Sequence, residues 1–218
     1  MSKVTFQSST PATAAAATSV NIAYPASIAA GDLLLLWVAR DSTLTEPAGW
    51  SNIGASNSAG NVLVELHAAV AIGTETGNLA LSFTTGNIVA VLQRWAGPVG
   101  GGITNLVAGI AANTSGAGTT LTPSTQSGVP ANGVTAACGG AGLLTGTATA
   151  SIAGTNWTQD QNVSLTGKYA LSTSRNVTDT GTVTGPTITF SQSDAGHAGL
   201  SVQLIYVPVS GALFFGSL

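Results

Sequence analysis

Gly31-Asp32-Leu33-Leu34-Leu35-Leu36 opens a pattern of strands and turns that the chain repeats, in the same order, in its second half. One half alone would leave the apolar face of a sheet uncovered, so two similar halves predict a single sandwich. The first copy continues with Pro47-Ala48-Gly49-Trp50, Leu81-Ser82-Phe83 and Ala90-Val91-Leu92-Gln93-Arg94-Trp95. The second copy consists of Asn132-Gly133-Val134-Thr135-Ala136, Ala153-Gly154-Thr155-Asn156-Trp157, Ile188-Thr189-Phe190 and Ser201-Val202-Gln203-Leu204-Ile205-Tyr206.

The segments between these landmarks are short, β-branched or aromatic, and separated by turn residues. Leu79, Leu81 and Phe83 alternate with smaller side chains, a period that is typical of a strand with one buried face. Turn signals such as Thr85-Gly86-Asn87 separate the strands, and signals for helices are poor. The sequence therefore predicts an all-β, jelly-roll-like antiparallel β-sandwich with two sheets of four or five strands.

The predicted organisation is one domain over residues 1–218. It comprises an N-terminal arm at about 1–18, halves at about 19–110 and 128–208, and a C-terminal tail at 209–218, with a Ser/Thr/Gly-rich connection at 113–127. The run Leu33-Leu34-Leu35-Leu36-Trp37 is apolar on both faces, so both faces are expected to be covered. Either a loop of this chain or a neighbouring subunit would cover the outer face.

The composition excludes several classes of partner. Only 6% of residues are charged, against about 25% in an ordinary domain, and the net charge is −3. The five basic residues are scattered, which argues against nucleic-acid binding and against an electrostatic membrane anchor. No signal-peptide core follows Met1, so we expect synthesis in a host cytoplasm without an export signal. A surface so poor in charge is compatible both with a plain low-charge β domain and with a subunit that contacts its neighbours in an assembly.

Few residues suggest chemistry. Glu65 and His67 share a face of a predicted strand and could form half a metal site or an acid–base pair, but we interpret them as an exposed polar face. Cys138 is expected to be a small buried hydrophobe, and Asp194-Ala195-Gly196-His197 to be a turn. Motifs for hydrolases, zinc proteases, nucleotides and dinucleotides are absent from the sequence. The sequence thus predicts no catalytic residue, cofactor or metal, and a protein that is not an enzyme.

The four tryptophans allow two interpretations. Exposed aromatic rings can stack on sugars, but Trp50 and Trp157 recur at matching places in the two halves, which favours packing under each turn. We therefore predict that both are buried at equivalent positions. The residues predicted to pack in the core are Trp37, Trp50, Trp95 and Trp157.

The C-terminal tail is a candidate for assembly. It follows Pro208, which cannot donate to a strand ladder, and it carries four large apolar side chains. The tail either folds back on its own sandwich or docks on a neighbouring subunit or shell, and we favour docking. The predicted contact residues are Leu213, Phe214, Phe215 and Leu218.

Three motifs together resemble a known family of β-sandwich proteins: Ala30-Gly31-Asp32-Leu33-Leu34-Leu35, Glu46-Pro47-Ala48-Gly49-Trp50 and Val89-Ala90-Val91-Leu92-Gln93-Arg94-Trp95-Ala96-Gly97. Members of that family occur among phage structural proteins and as modules of bacterial surface proteins. The chain departs from the pattern at Ala153-Gly154-Thr155-Asn156-Trp157, where a second Pro-x-Gly-Trp is expected, and at Trp95, where tyrosine is usual.

The resemblance implies a non-enzymatic virion protein. We expect a capsid decoration or accessory protein located in the virion, whose partners are the major capsid protein or tail proteins, with self-association. The alternative is an adhesive or carbohydrate-binding module of a phage tail or bacterial cell surface, for which a glycan would be the partner. The family has no shared active site, so the resemblance points to a fold more strongly than to an activity.

Overall fold

A computed structural model describes residues 4–58, 62–97, 111–115 and 118–205, with the backbone alone at 57–58, 111–115 and 194. Within these ranges the regular secondary structure consists of strands, which confirms the all-β prediction. The described residues contain no helix that is long and apolar enough to span a membrane.

Sixteen strands run through the described part of the chain, and all of their pairings are antiparallel. They are β1 (Thr5–Ala23), β2 (Leu33–Arg40), β3 (Leu44–Thr45), β4 (Ser51–Ser58), β5 (Val62–Val70), β6 (Asn78–Ala96), β7 (Ala111–Ser115), β8 (Gly118–Leu121), β9 (Gln126–Val129), β10 (Gly133–Gly142), β11 (Ala150–Ala153), β12 (Trp157–Leu165), β13 (Tyr169–Asn176), β14 (Gly181–Val183), β15 (Thr187–Asp194) and β16 (Gly196–Ile205).

The two halves repeat the same topology. Five strands of the first half pair in the order β1-β6-β2-β5-β4, and five of the second pair in the corresponding order β7-β16-β10-β13-β12. The short strand β3 also pairs with β6, so the first sheet has six strands instead of the predicted four or five. The registers agree as well: Ser51 faces Ala68 as Thr158 faces Arg175. The pair β4 and β5 and the pair β12 and β13 each carry a β-bulge at the corresponding place, at Ile53 and at Asp160. The pattern read from the sequence is therefore a structural repeat.

The two sheets pack face to face and form one hydrophobic core. Leu35 and Trp37 of β2 and Cys138 of β10 belong to the same buried cluster, which also includes residues of β5, β6, β13 and β16. The sheets approach closely at Gly140, where an added Cβ would lie 2.5 Å from Cγ2 of Val64. The structure is thus a sandwich with one sheet from each half, and the jelly-roll description of its topology stays a prediction.

The outer faces of both sheets are covered by the chain itself. Ile22 of β1 and Leu79 and Leu81 of β6 pack in a second buried cluster with Leu34 and Leu36 of β2. This is why the leucine run is apolar on both sides. In the second half, a smaller sheet of order β11-β15-β8 covers the outer face, with Ile188 and Phe190 in a third cluster.

A corner in the paired strands β1 and β6 makes this covering possible. Asp41 accepts hydrogen bonds from both the backbone N–H and the side-chain amide of Asn87, each at 2.7 Å. Gly86 is required at this corner, because an added Cβ would lie 2.5 Å from Cβ of Ser42. The segment of β1 after the corner and the segment of β6 before it therefore fold back over the sheet that contains the rest of both strands.

Two parts of the predicted organisation differ from the structure. The predicted N-terminal arm at 1–18 is largely part of β1, which pairs along β6 as a full strand. The predicted connection at 113–127 contains residues of β7, β8 and β9. The tail at 209–218, with Leu213, Phe214, Phe215 and Leu218, lies outside the described residues.

Candidate functional site

The tryptophans occupy three different environments. Trp37 and Trp95 are fully buried, and both indole N–H groups donate to Oε1 of Gln93, at 2.8 and 3.2 Å. Trp50 is 8% exposed and packs in the outer cluster of the first half. Trp157 is only partly buried, so the prediction that it is buried in the same way as Trp50 is wrong.

The turns that hold Trp50 and Trp157 are nevertheless the same. The N–H of Trp50 donates to the carbonyl oxygen of Pro47 at 3.1 Å, and that of Trp157 to the carbonyl oxygen of Gly154 at 3.4 Å. Gly154 leaves room for the indole, since an added Cβ would lie 2.9 Å from Cδ1 of Trp157. The backbone repeat is retained while the side-chain environment differs.

A buried polar bridge joins the two halves inside the sandwich. The side-chain amide of Gln93 donates to Oδ2 of Asp160 at 3.0 Å, and Asp160 forms an ion pair with Arg175. The guanidinium of Arg175 lies 4.3 Å from the ring centre of Phe6. The bulge in β12 places Asp160 at this contact between the two halves. Its counterpart Ile53, at the bulge in β4, packs against the apolar core instead. Because the bridge is internal, its role is to fix the relative position of the two sheets.

Glu65 and His67 belong to a buried charged cluster, so their interpretation as an exposed polar face is wrong. Their exposed fractions are 7% and 3%. Arg40 contacts both oxygens of the Glu65 carboxylate, through Nε and Nη2, each at 2.7 Å. His67 Nδ1 lies 2.9 Å from Oε1 of Glu46, and its Nε2 lies 3.4 Å from Oε2 of Glu65. The imidazole is thus held between two carboxylates.

These contacts shift the pKa values of both groups. Burial opposes ionisation of Glu65, but hydrogen bonds from His67 and Arg40 outweigh it and lower the pKa to about 2. Burial likewise disfavours the imidazolium, but hydrogen bonds with Glu65 and Glu46 outweigh it and raise the pKa of His67. The imidazole therefore links the sheet to Glu46, which precedes the Trp50 turn.

A cleft of about 260 Å³ lies beside Trp50 and is mainly aliphatic. Val70 and Ile72 in its wall are 56% and 75% exposed, and Glu75 is its charged group. An adjoining groove of about 390 Å³, lined by Leu33, Ile53 and Val70 among others, continues this surface. The first half thus presents exposed aliphatic surface next to its Trp turn.

A cleft of about 380 Å³ lies beside Trp157, and it is lined with hydroxyl groups. The indole N–H donates to the carbonyl oxygen of Thr184 at 3.0 Å. The carboxylate of Asp179 accepts hydrogen bonds from the side-chain amides of Asn156 and Asn176, both at 2.6 Å. The residues around the cleft are Ala153, Gly154, Thr155, Trp157, Asp179, Thr182, Thr184, Gly185 and Thr187.

The two clefts occupy corresponding places in the repeat. Counting on from the matched pairs Ser51/Ala68 and Thr158/Arg175, Ile72 corresponds to Asp179 and Glu75 corresponds to Thr182. The first cleft therefore has an aliphatic side chain where the second has a held carboxylate. The sequence does not predict either cleft, because each combines residues of a Trp turn with residues distant from it in sequence, such as Ile72 in the first and Thr182 in the second.

The remaining reactive residues are enclosed. Cys138 is fully buried, and burial raises the pKa of its thiol. His197 is also fully buried and stacks on Phe190, with ring centres 5.4 Å apart. Across the described ranges, no group of three or more histidine, cysteine, aspartate or glutamate side chains is placed to hold a metal ion.

Comparisons with known proteins add no relative. No protein-family model, no curated protein and no solved structure matches the chain.

Proposed function

We propose that this chain is a non-enzymatic structural protein of a phage particle, where it decorates the capsid or serves as an accessory protein. Its partners in this proposal are the major capsid protein or tail proteins and further copies of itself. The observation that carries the proposal is the distribution of charge between the interior and the surface of the sandwich.

Three Arg–carboxylate ion pairs use six of the thirteen Lys, Arg, Asp and Glu side chains of the protein. Arg40 pairs with Glu65, Arg94 with Asp32 and Arg175 with Asp160, and these side chains are buried or mostly buried. Lys168 is the one basic side chain of the described residues outside these pairs. The outer surface is therefore rich in small hydroxyl and aliphatic side chains, with little charge to repel a neighbouring copy. Such a surface suits dense packing on a particle.

The exposed aliphatic side chains beside Trp50 also support this role. Val70 lines both adjoining concavities and Ile72 lines the one beside Trp50, and both side chains are more than half exposed. Aliphatic surface of this kind is stabilised when another surface covers it. A subunit of an assembly would bury it against its neighbour.

The experiment that tests the proposal locates the protein on purified particles. Immunogold labelling and quantitative mass spectrometry of virions should find the chain at hundreds of copies on the capsid. A handful of copies per particle would indicate that the protein belongs to the tail instead of the capsid. Its absence from particles of the phage that encodes it would overturn the proposal.

A second experiment tests the proposed contact at the tail. Deletion of residues 211–218 should leave the sandwich folded and should abolish particle binding or self-association. The matched control replaces Ser210 with alanine, which leaves Leu213, Phe214, Phe215 and Leu218 in place. Unchanged assembly, or a loss of stability of the isolated monomer, would reject the tail as the assembly contact.

The Trp157 cleft favours a second candidate function, an adhesive module of a phage tail or of a bacterial cell surface. The specific observation is that a partly exposed indole and several threonine hydroxyls surround one concavity. An adhesive module would be found at low copy number, and its particles would lose attachment to cells when the cleft is altered.

A further inference from the structure

We propose that the cleft beside Trp157 is a binding site for a neutral saccharide of one or two sugar rings. The proposal does not depend on the particle role, because a decoration protein, a tail protein and a surface module could each carry such a site. It concerns the second half of the chain alone, and its test can fail while the particle proposal stands.

The first support is the indole itself. Trp157 is fixed by the hydrogen bond from its N–H to the carbonyl oxygen of Thr184 and by the close approach of Gly154. It keeps part of its surface exposed in the wall of the cleft. A fixed, partly exposed aromatic ring offers an apolar face to the C–H groups of a sugar without further loss of side-chain freedom.

The second support is the polar wall. Asp179 is oriented by the amides of Asn156 and Asn176, so its carboxylate is held in place before a ligand arrives. Carboxylate oxygens accept hydrogen bonds from sugar hydroxyls, and threonine hydroxyls can both donate and accept. The side chains of Thr155, Thr182 and Thr184 are exposed around the same concavity.

The third support is the charge and size of the cleft. No arginine or lysine lines it, and its one charged side chain is an aspartate, so phosphate and other anions are disfavoured. A cationic ligand would have a single aromatic wall instead of a cage. The volume of about 380 Å³ lies near the lower end of the range of small-molecule sites, which suits one or two rings.

The comparison of the halves gives independent support. The corresponding place in the first half has Ile72 instead of the carboxylate, and Trp50 there is buried. A polar cleft is not required by the fold, because the same backbone turn is stable with an aliphatic wall. The hydroxyl-lined wall is therefore a property of this site and not of the repeat.

The test titrates the full-length protein with maltohexaose, cellohexaose and N-acetylchitohexaose, followed by isothermal titration calorimetry and by tryptophan fluorescence. We expect at least one of these neutral oligosaccharides to bind with a Kd of about 1 mM or tighter. Trp157→Ala should weaken binding about tenfold or more, and Asp179→Asn and Thr182→Val should each weaken it several-fold.

Two controls keep the result interpretable. Thr74→Val changes the first cleft in the way that Thr182→Val changes the second, and it should leave binding unchanged. Trp157→Phe is the second variant in case Trp157→Ala fails to fold. It retains an aromatic ring and should retain most of the affinity. The proposal is overturned if none of the oligosaccharides binds at about 10 mM, if Trp157→Ala binds like the wild type, or if choline binds more tightly than every sugar.

Discussion

The two halves of this protein share a backbone plan and differ in what they do with it. Each half has the same order of five paired strands, a bulge at the corresponding place, a Trp turn and a covering layer. In the first half Trp50 is buried beside exposed aliphatic side chains, whereas in the second Trp157 is partly exposed beside hydroxyls and a held carboxylate. The fold therefore requires the turn, while the side chains around the turn can differ and take different roles.

The largest expected effect separates the two tryptophans by their burial. Trp50→Ala should lower the free energy of unfolding by about 3–5 kcal/mol, because it removes a large side chain from a buried cluster. Trp157→Ala should cost less than half as much, because its indole is partly exposed. Urea unfolding of both variants measures the difference, and equal losses would show that the two turns are equivalent in packing.

The next effect tests the close approach of the two sheets. Gly140 faces Val64 across the sandwich, while its counterpart in the first half, Ala39, accommodates a Cβ. Gly140→Ala should destabilise the protein by about 1–3 kcal/mol through overpacking. Adding Val64→Ala should recover part of the loss in thermal or urea unfolding. Gly118→Ala is the control, because an added Cβ there meets nothing within 4 Å; a Gly140→Ala variant as stable as this control would contradict the packing.

A smaller effect is the pH dependence of the free energy of unfolding, which should arise in the first half and not in the second. Glu65 and His67 have the serines Ser172 and Ser174 as counterparts in the second half. Because the pKa of His67 is raised above its ordinary value of 6.5, its contribution to stability is fully present below about pH 6.5. That contribution is lost as the pH rises through the raised pKa. The pKa of Glu65, lowered from 4.5 to about 2, means that its contribution is present above 4.5 and is lost as the pH falls towards 2.

The measurement is the midpoint of urea unfolding between pH 5 and 9. The wild type should lose stability towards the alkaline end, and His67→Gln should lose most of that dependence. Ser174→Ala, altered at the counterpart of His67, should keep the wild-type profile. Identical pH profiles of the urea midpoint for the wild type and His67→Gln would show that the charged cluster is not the source of the pH dependence.

The smallest effect concerns Cys138, the counterpart of Trp37 in the inner core. Cys138→Ala should cost about 1 kcal/mol, because it removes one buried sulfur atom and leaves a small void. In the native protein the buried thiol should resist a thiol reagent, and it should react at once in urea. Rapid labelling without denaturant would show that the core opens at β10.

The sequence predicted those parts of the fold that local patterns control. The leucine run and the alternation at Leu79, Leu81 and Phe83 marked strands because burial sets their period. It did not predict the long strand β1, whose Ala- and Thr-rich composition carries a weak strand signal. Pro11 is tolerated there because β1 is an edge strand of its sheet.

The candidate sites could not be predicted because they depend on contacts between distant segments. The sequence does not predict the burial of Glu65 and His67, because their partners Arg40 and Glu46 are distant from them in sequence. The environment of Trp157 depends on Asp179 and on the loop at Thr184. One local signal was available: Gly154 replaces the proline of the first turn, and this glycine is where the indole lies closest to the backbone.

The division of the sandwich into one sheet per half has a consequence for biosynthesis. When residue 97 leaves the ribosome, the first sheet can form, but the inner face that bears Leu35, Trp37 and Trp95 has nothing to pack against. At about 5–20 residues per second, the roughly 100 residues that complete β16 take roughly 5–20 seconds to arrive. During that interval the nascent chain presents a bare apolar sheet and should be a substrate for chaperones that bind extended hydrophobic segments.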